Sequence, residues 1–154
     1  MPVDPNAPAD TTMMRIVHDA LRRDLERARV ALTRGSPPDD RQRMAIAEHL
    51  RWVMAFLHAH HRSEDEGLYP VVRERDAAAA ALLDDMATDH EAVAVAIIEV
   101  EAAAAAYAER DEREPVVAAL EDLTGVLIPH LRREEDEVMP LVSRAITNAE
   151  WSAI

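Results

Sequence analysis

Apolar residues recur at spacings of three and four along four stretches of the chain, and Pro and Gly fall between the stretches. Met14, Val17, Leu21, Leu25, Ala28 and Leu32 form the first stripe, and Leu50, Val53, Leu57 and Leu68 the second. Leu83, Met86, Val93, Ile97 and Val100 form the third; Val116, Leu120, Leu123, Leu127, Val138 and Leu141 form the fourth. That period puts each set on one face of a helix. Asp10-Thr11-Thr12 offers N-caps for a first helix running to about Arg34, and Gly35-Ser36-Pro37-Pro38 ends it. Asp39 or Asp40 caps a second helix that reaches about Leu68, where Tyr69-Pro70 ends or bends it. The stretch to Leu83 reads as short helix or loop, and a third helix then runs to about Arg110. After a charged turn, Pro115 suits the first positions of a fourth helix that runs to about Asn148. Nothing reads as a strand.

Four amphipathic helices with short connections predict an all-α fold, an up-down-up-down antiparallel four-helix bundle. The domain is expected over residues 11–148, with the Pro-rich residues 1–10 a disordered N-terminal tail and 149–154 a C-terminal tail. Met13, Met14 and Met86 are expected in the core. Pro129 lies inside the fourth helix, where its ring meets the carbonyl of Gly125; this predicts a kink or bulge that aims His130 inward.

Polar residues interrupt the stripes at matching heights. His18 lies three residues before Leu21; His60 follows Leu57 by three; His90 follows Met86 by four; His130 follows Leu127 by three. Glu64 and Glu134 each follow a His by four, which puts both side chains of a His-x-x-x-Glu pair on one helix face. All six continue an inward stripe, so each helix sends a His toward the bundle axis. A buried carboxylate without a partner costs several kcal/mol, roughly. A metal compensates that charge and uses the imidazole lone pairs. The chain also repeats: His60, Glu64 and Pro70 recur 70 residues on as His130, Glu134 and Pro140, and His18 and His90 stand 72 apart. The site is therefore expected to be close to two-fold symmetric.

Composition narrows the chemistry. The chain has 154 residues and no Cys, which excludes disulfides, thiolate metal sites and thiol nucleophiles. A net charge of -13 makes nucleic acid and anionic membranes poor partners. MPVDPNAPAD has no basic stretch followed by an apolar one, so no signal peptide is expected, and a cytoplasmic location is. No apolar run is long enough to span a bilayer. His49 and His58 fall off the stripes and are expected in solvent. His61, beside His60, is expected to be exposed or to support the site from outside, with direct ligation the lesser alternative. Glu66, Glu135, Asp136 and Glu137 read as a solvated acidic mouth, and Glu135 is also a rival to Glu134 as a ligand. Tyr69 reads as loop packing by default, with packing over the end of the site the alternative, and Trp52 and Trp151 point to no chemistry.

The order His, His-x-x-x-Glu, His, His-x-x-x-Glu resembles the hemerythrin-like, or HHE cation-binding, family. The segments His60-His61-Arg62-Ser63-Glu64-Asp65-Glu66-Gly67-Leu68-Tyr69-Pro70 and His130-Leu131-Arg132-Arg133-Glu134-Glu135-Asp136-Glu137-Val138-Met139-Pro140 are similar to its two signatures. The resemblance spans residues 12–146 and implies an oxo- or hydroxo-bridged pair of iron ions. It assigns His18 and His60 to one iron, His90 and His130 to the other, and Glu64 and Glu134 to bridging positions. Hemerythrins carry a further His one turn along the third helix, where this chain has Ala94, and an Asp five residues after the fourth-helix His. The missing His turns the expectation from reversible oxygen carriage toward a redox centre. That centre would react with dioxygen, peroxide or nitric oxide, as a sensor or a catalase- or peroxidase-like protein, in a monomer or weak homo-oligomer. Iron storage or oxygen binding without turnover, and a metal-free helical interaction module, are the alternatives.

Overall fold

The computed structural model describes residues 3–154. Helix α1 spans Thr12–Thr33 and α2 spans Asp40–Ser63. A π-helical turn, Glu64–Leu68, carries α2 into α3, Tyr69–Arg75. A 3-10 turn, Ala77–Ala79, leads to α4, Ala80–Arg110. Helix α5, Arg113–Arg133, runs through a second π turn, Glu134–Val138, into α6, Met139–Ala145. A single-turn helix α7, Asn148–Trp151, follows. The four long helices α1, α2, α4 and α5 pack as an antiparallel bundle in which α4 touches α2 and α5, and α1 touches the same two.

Local chemistry sets the ends. Asp39 opens α2 with a capping box: its carboxylate accepts from the Gln42 amide at 2.8 Å, and the Gln42 side chain accepts from the Asp39 amide at 2.9 Å. Asp111 closes α4 in the left-handed region at φ 53°, which Asp tolerates better than most residues. The second helix does not end at Tyr69-Pro70. In each π turn a backbone bond reaches back five residues, from the Tyr69 amide to the Glu64 carbonyl and from the Met139 amide to the Glu134 carbonyl. Each turn admits one extra residue immediately before a proline, Pro70 or Pro140, that lacks an amide to continue the ladder. Helix α5 passes through Pro129 without a break. The bulge expected there lies instead at Glu134–Val138, where the extra residue relieves the ladder after His130.

The apolar interior is in two parts. One cluster includes Leu21, Leu57, Val93 and Leu127; the other includes Met14, Leu68, Met86 and Val138. His18, His60, His61, His90 and His130 lie between these two sets along their helices, so the polar layer is sandwiched between apolar ones. Met13, expected in the core, is exposed, because the stripe passes through Met14. The segment before α1, expected to be a disordered tail, lies against the turn after α6. There the Ala9 amide donates to the Ile146 carbonyl and the Asn148 amide donates to the Ala7 carbonyl, both at 3.0 Å. Among the described residues no helix is long and apolar enough to cross a membrane.

Candidate metal centre

Each long helix supplies donors to one buried layer. His18, His90, His130, Glu64 and Glu134 are buried, and His60 is nearly so. Their atoms fall into two groups that could each hold a metal ion: His18, His60, Glu64 and Glu134, and His61, His90 and His130. In the first, His60 Nε2 is 3.4 Å from His18 Nε2. In the second, His90 Nε2 is 3.1 Å from His130 Nε2. The carboxylates lie between the groups. Glu64 sets Oε1 3.0 Å from His60 Nε2 and Oε2 3.4 Å from His90 Nε2. Glu134 sets Oε2 3.4 Å from His18 Nε2 and 3.8 Å from His130 Nε2.

The opposite edges of three rings are held by carboxylates. His18 Nδ1 donates to Glu135 at 2.8 Å, His90 Nδ1 to Asp65 at 2.8 Å, and His130 Nδ1 to Asp89 at 3.4 Å. An ionised carboxylate only accepts, so each Nδ1 carries the proton and each Nε2 is left with a lone pair. Lone pairs from facing rings then converge on one another, together with the oxygens of two acids. Both oxygens of Glu64, Oε2 of Glu134 and Nε2 of His61 have no hydrogen-bond partner. Such an arrangement is unfavourable for a protein alone and suits a cation. The donor set of imidazole and carboxylate fits iron and its first-row neighbours.

Electrostatics keep the imidazoles ready to ligate. Burial holds His60 down at about 4, against the partial opposition of Glu134. Burial likewise lowers His61 and His130 below the ordinary histidine range. Burial, reinforced by the charge of Glu134, raises Glu64 well above the usual carboxylate range, so without a cation this pair resists full ionisation. Tyr69 lies under the layer, buried, with its ring stacked 5.7 Å from His90 and its hydroxyl donating to Glu134 Oε1 at 2.9 Å. Burial first, then the charges of Glu134 and Glu64, raise the phenol, which stays protonated.

The geometry brings together the six residues singled out by stripe and spacing, and adds others. His61 is not exposed: it is 4% accessible and stacks on His90 at 4.1 Å. It turns inward because the residue beside a ligand can share the helix face at a bundle interface, while its repeat partner Leu131 fills the equivalent place with hydrocarbon. The site is therefore not two-fold symmetric. Glu135 is not in either group and is not solvated. It is taken up by His18 and by Arg22, whose guanidinium donates at 2.8 Å. Asp65 and Glu135 occupy matching places in the repeat, and each holds the lone His of the opposite half, His90 and His18 respectively; the matching acids were visible in the sequence. Asp89 had no such marker, and Tyr69, whose default reading was loop packing, takes the alternative place over the end of the site. On the surface beside His61 and His90 a cleft of about 290 Å³ opens, bordered by Asp65, Glu66, Glu91 and Ala94.

Fold and site together define a cation-binding helical bundle. The family model for the hemerythrin HHE cation binding domain matches residues 4–142, and the chain belongs to that family. No curated protein and no solved structure matches it significantly.

Proposed function

We propose that the buried layer holds a pair of iron ions and that the protein reacts with hydrogen peroxide. The observation that carries this reading is the convergence of carboxylate-backed imidazole Nε2 atoms on two acids whose oxygens lack hydrogen-bond partners. His18 and His60 would hold one ion, and His90 and His130 the other. Glu64 and Glu134, which face histidines of both groups, would bridge them. His61 joins His90 and His130 as the candidate third nitrogen donor, in place of the histidine replaced by Ala94. Bound iron supplies the electron-transfer chemistry toward the oxidant.

The chain's own residues do the rest. Asp65, Asp89 and Glu135 fix the tautomers and ring orientations. The two apolar clusters keep bulk water from the layer above and below. Tyr69 keeps its proton on Oη and steadies Glu134. The cleft gives lateral access at His61 and His90, past Ala94, and its volume admits a molecule the size of peroxide. That open approach favours the redox reading.

Filling the cleft tests it. Ala94→Leu is expected to slow peroxide consumption by iron-loaded protein about tenfold or more, with iron content unchanged, roughly the effect of misplacing a reactant. Unchanged peroxide consumption by the variant, or a stable and reversible oxygen adduct in the parent protein, would contradict the proposal.

A further inference from the structure

Aromatic residues are scarce: the chain has one Phe, two Trp and two Tyr. Two of them, Trp52 and Phe56, stand with His60 at positions four apart on α2. Their rings are nearly parallel. Trp52 and Phe56 are 5.6 Å apart between centroids and tilted 15°, and Phe56 and His60 are 6.2 Å apart and tilted 4°. Residues four apart on a helix are neighbours, so contact alone is unremarkable. The core face of α2 is Leu50, Val53, Met54 and Leu57, and His60 continues its edge; Trp52 and Phe56 lie off it, beside Ile16 and Val17 of α1. Trp52 is 61% exposed and Phe56 38%, and leaving large rings in water forfeits apolar burial. The inner ring of the column is a member of the metal-holding group, with Nε2 3.0 Å from Glu64. The column thus leads from open solvent to the buried layer, over about 12 Å by the rise of eight helical residues.

We propose that Trp52, Phe56 and His60 form a one-electron relay between the surface of α2 and the metal site, which rests on the reading that the site holds redox-active iron. Trp52 is the oxidisable end. Its indole gives up one electron toward the site, and the exposed ring releases its N–H proton to water. Phe56, with no heteroatom in its ring, is the harder group to oxidise and acts as the bridge. A one-electron donor in solution of the enediol or phenol class then returns one hydrogen atom to the indole radical. Two such cycles deliver two electrons and two protons, which with one hydrogen peroxide make two waters. The relay would let a buried centre be re-reduced without opening the bundle.

The test is rapid-freeze electron paramagnetic resonance of iron-loaded protein mixed with hydrogen peroxide in the absence of donor, with peptide mass spectrometry of the product. The expected result is a tryptophanyl radical and oxidation mapped to Trp52. In Trp52→Phe the radical should vanish with iron content unchanged, and ascorbate-dependent peroxide turnover should fall about tenfold or more, corresponding to about 1.4 kcal/mol in the barrier. Phe56→Leu should lower the radical yield, and Phe56→Tyr should restore it. If iron binds and peroxide is consumed but Trp52→Phe gives the same radical yield and the same ascorbate-dependent rate, the relay is overturned and the peroxide reading stands. If the parent protein takes up no iron, or takes it up and leaves peroxide untouched, both are overturned.

Discussion

His60 shows how a single residue is tuned by its place. Glu134 favours its charged form, yet burial wins and the ring stays neutral down to about pH 4. In the metal-free protein this gives a stability profile whose sign can be worked out. Between about pH 4.5 and 6.5 the unfolded chain protonates His60, His61 and His130, whose folded forms resist the proton. Stability from these three therefore falls as pH drops below about 6.5. Glu64 acts the other way: it is held protonated when folded and ionises when unfolded, so its contribution falls as pH rises above about 4.5. Between about pH 4.5 and 6.5 three protons outweigh one. Urea unfolding of the metal-free protein should thus show stability rising with pH over that window, with each unbalanced proton worth about 1.4 kcal/mol per pH unit. A profile that falls between about pH 4.5 and 6.5 would contradict these assignments. The six donors were legible one by one, because each His or Glu continued an apolar stripe. The inward turn of His61 was not. On helical geometry alone it stands 100° from His60, roughly, and only the packing of α4 against α2 decides that it is covered.

At the scale of the element, the irregularity expected at Pro129 lies instead in the two π turns. Pro70 and Pro140 each follow an extra residue, and the resulting shift in helical phase brings Tyr69 under the layer, with its hydroxyl on Glu134. Hydrophobic period cannot reveal this, since one added residue changes the phase by a fraction of a turn that stripe counting absorbs. Pro129 makes the complementary case. It sits in an unbroken α5, and a side chain at Gly125, whose carbonyl the ring meets, would find open space. If Pro129 is not required to aim His130, Pro129→Ala restores a backbone bond at no cost to the site. The expected outcome is a gain of about 1–3 kcal/mol in unfolding free energy with iron content unchanged. Loss of iron binding on this substitution would return the aiming role to the proline.

For the whole molecule, the four-helix bundle could be read almost completely from the sequence. Leu25, Leu50, Leu57, Val93, Val100, Leu120, Leu123 and Leu127 all sit in the main core, as their spacing required. The ends were harder. Residues 4–10 have no periodicity, and what holds them is a set of backbone bonds to residues 146–149, which no local pattern records. The repeat was visible, but its two-fold symmetry was over-read, because His61 and Leu131 break it at one position. That break has a consequence for the site: one group offers three imidazoles, the other two imidazoles and two carboxylates. The central claim is that these groups hold a metal pair. It is tested most directly by counting iron after anaerobic reconstitution with ferrous ion and removal of the excess, in the parent protein, in His61→Ala and in His49→Ala. The account predicts about two irons per chain in the parent and in His49→Ala, and about one in His61→Ala. A folded parent protein that retains no iron would contradict it.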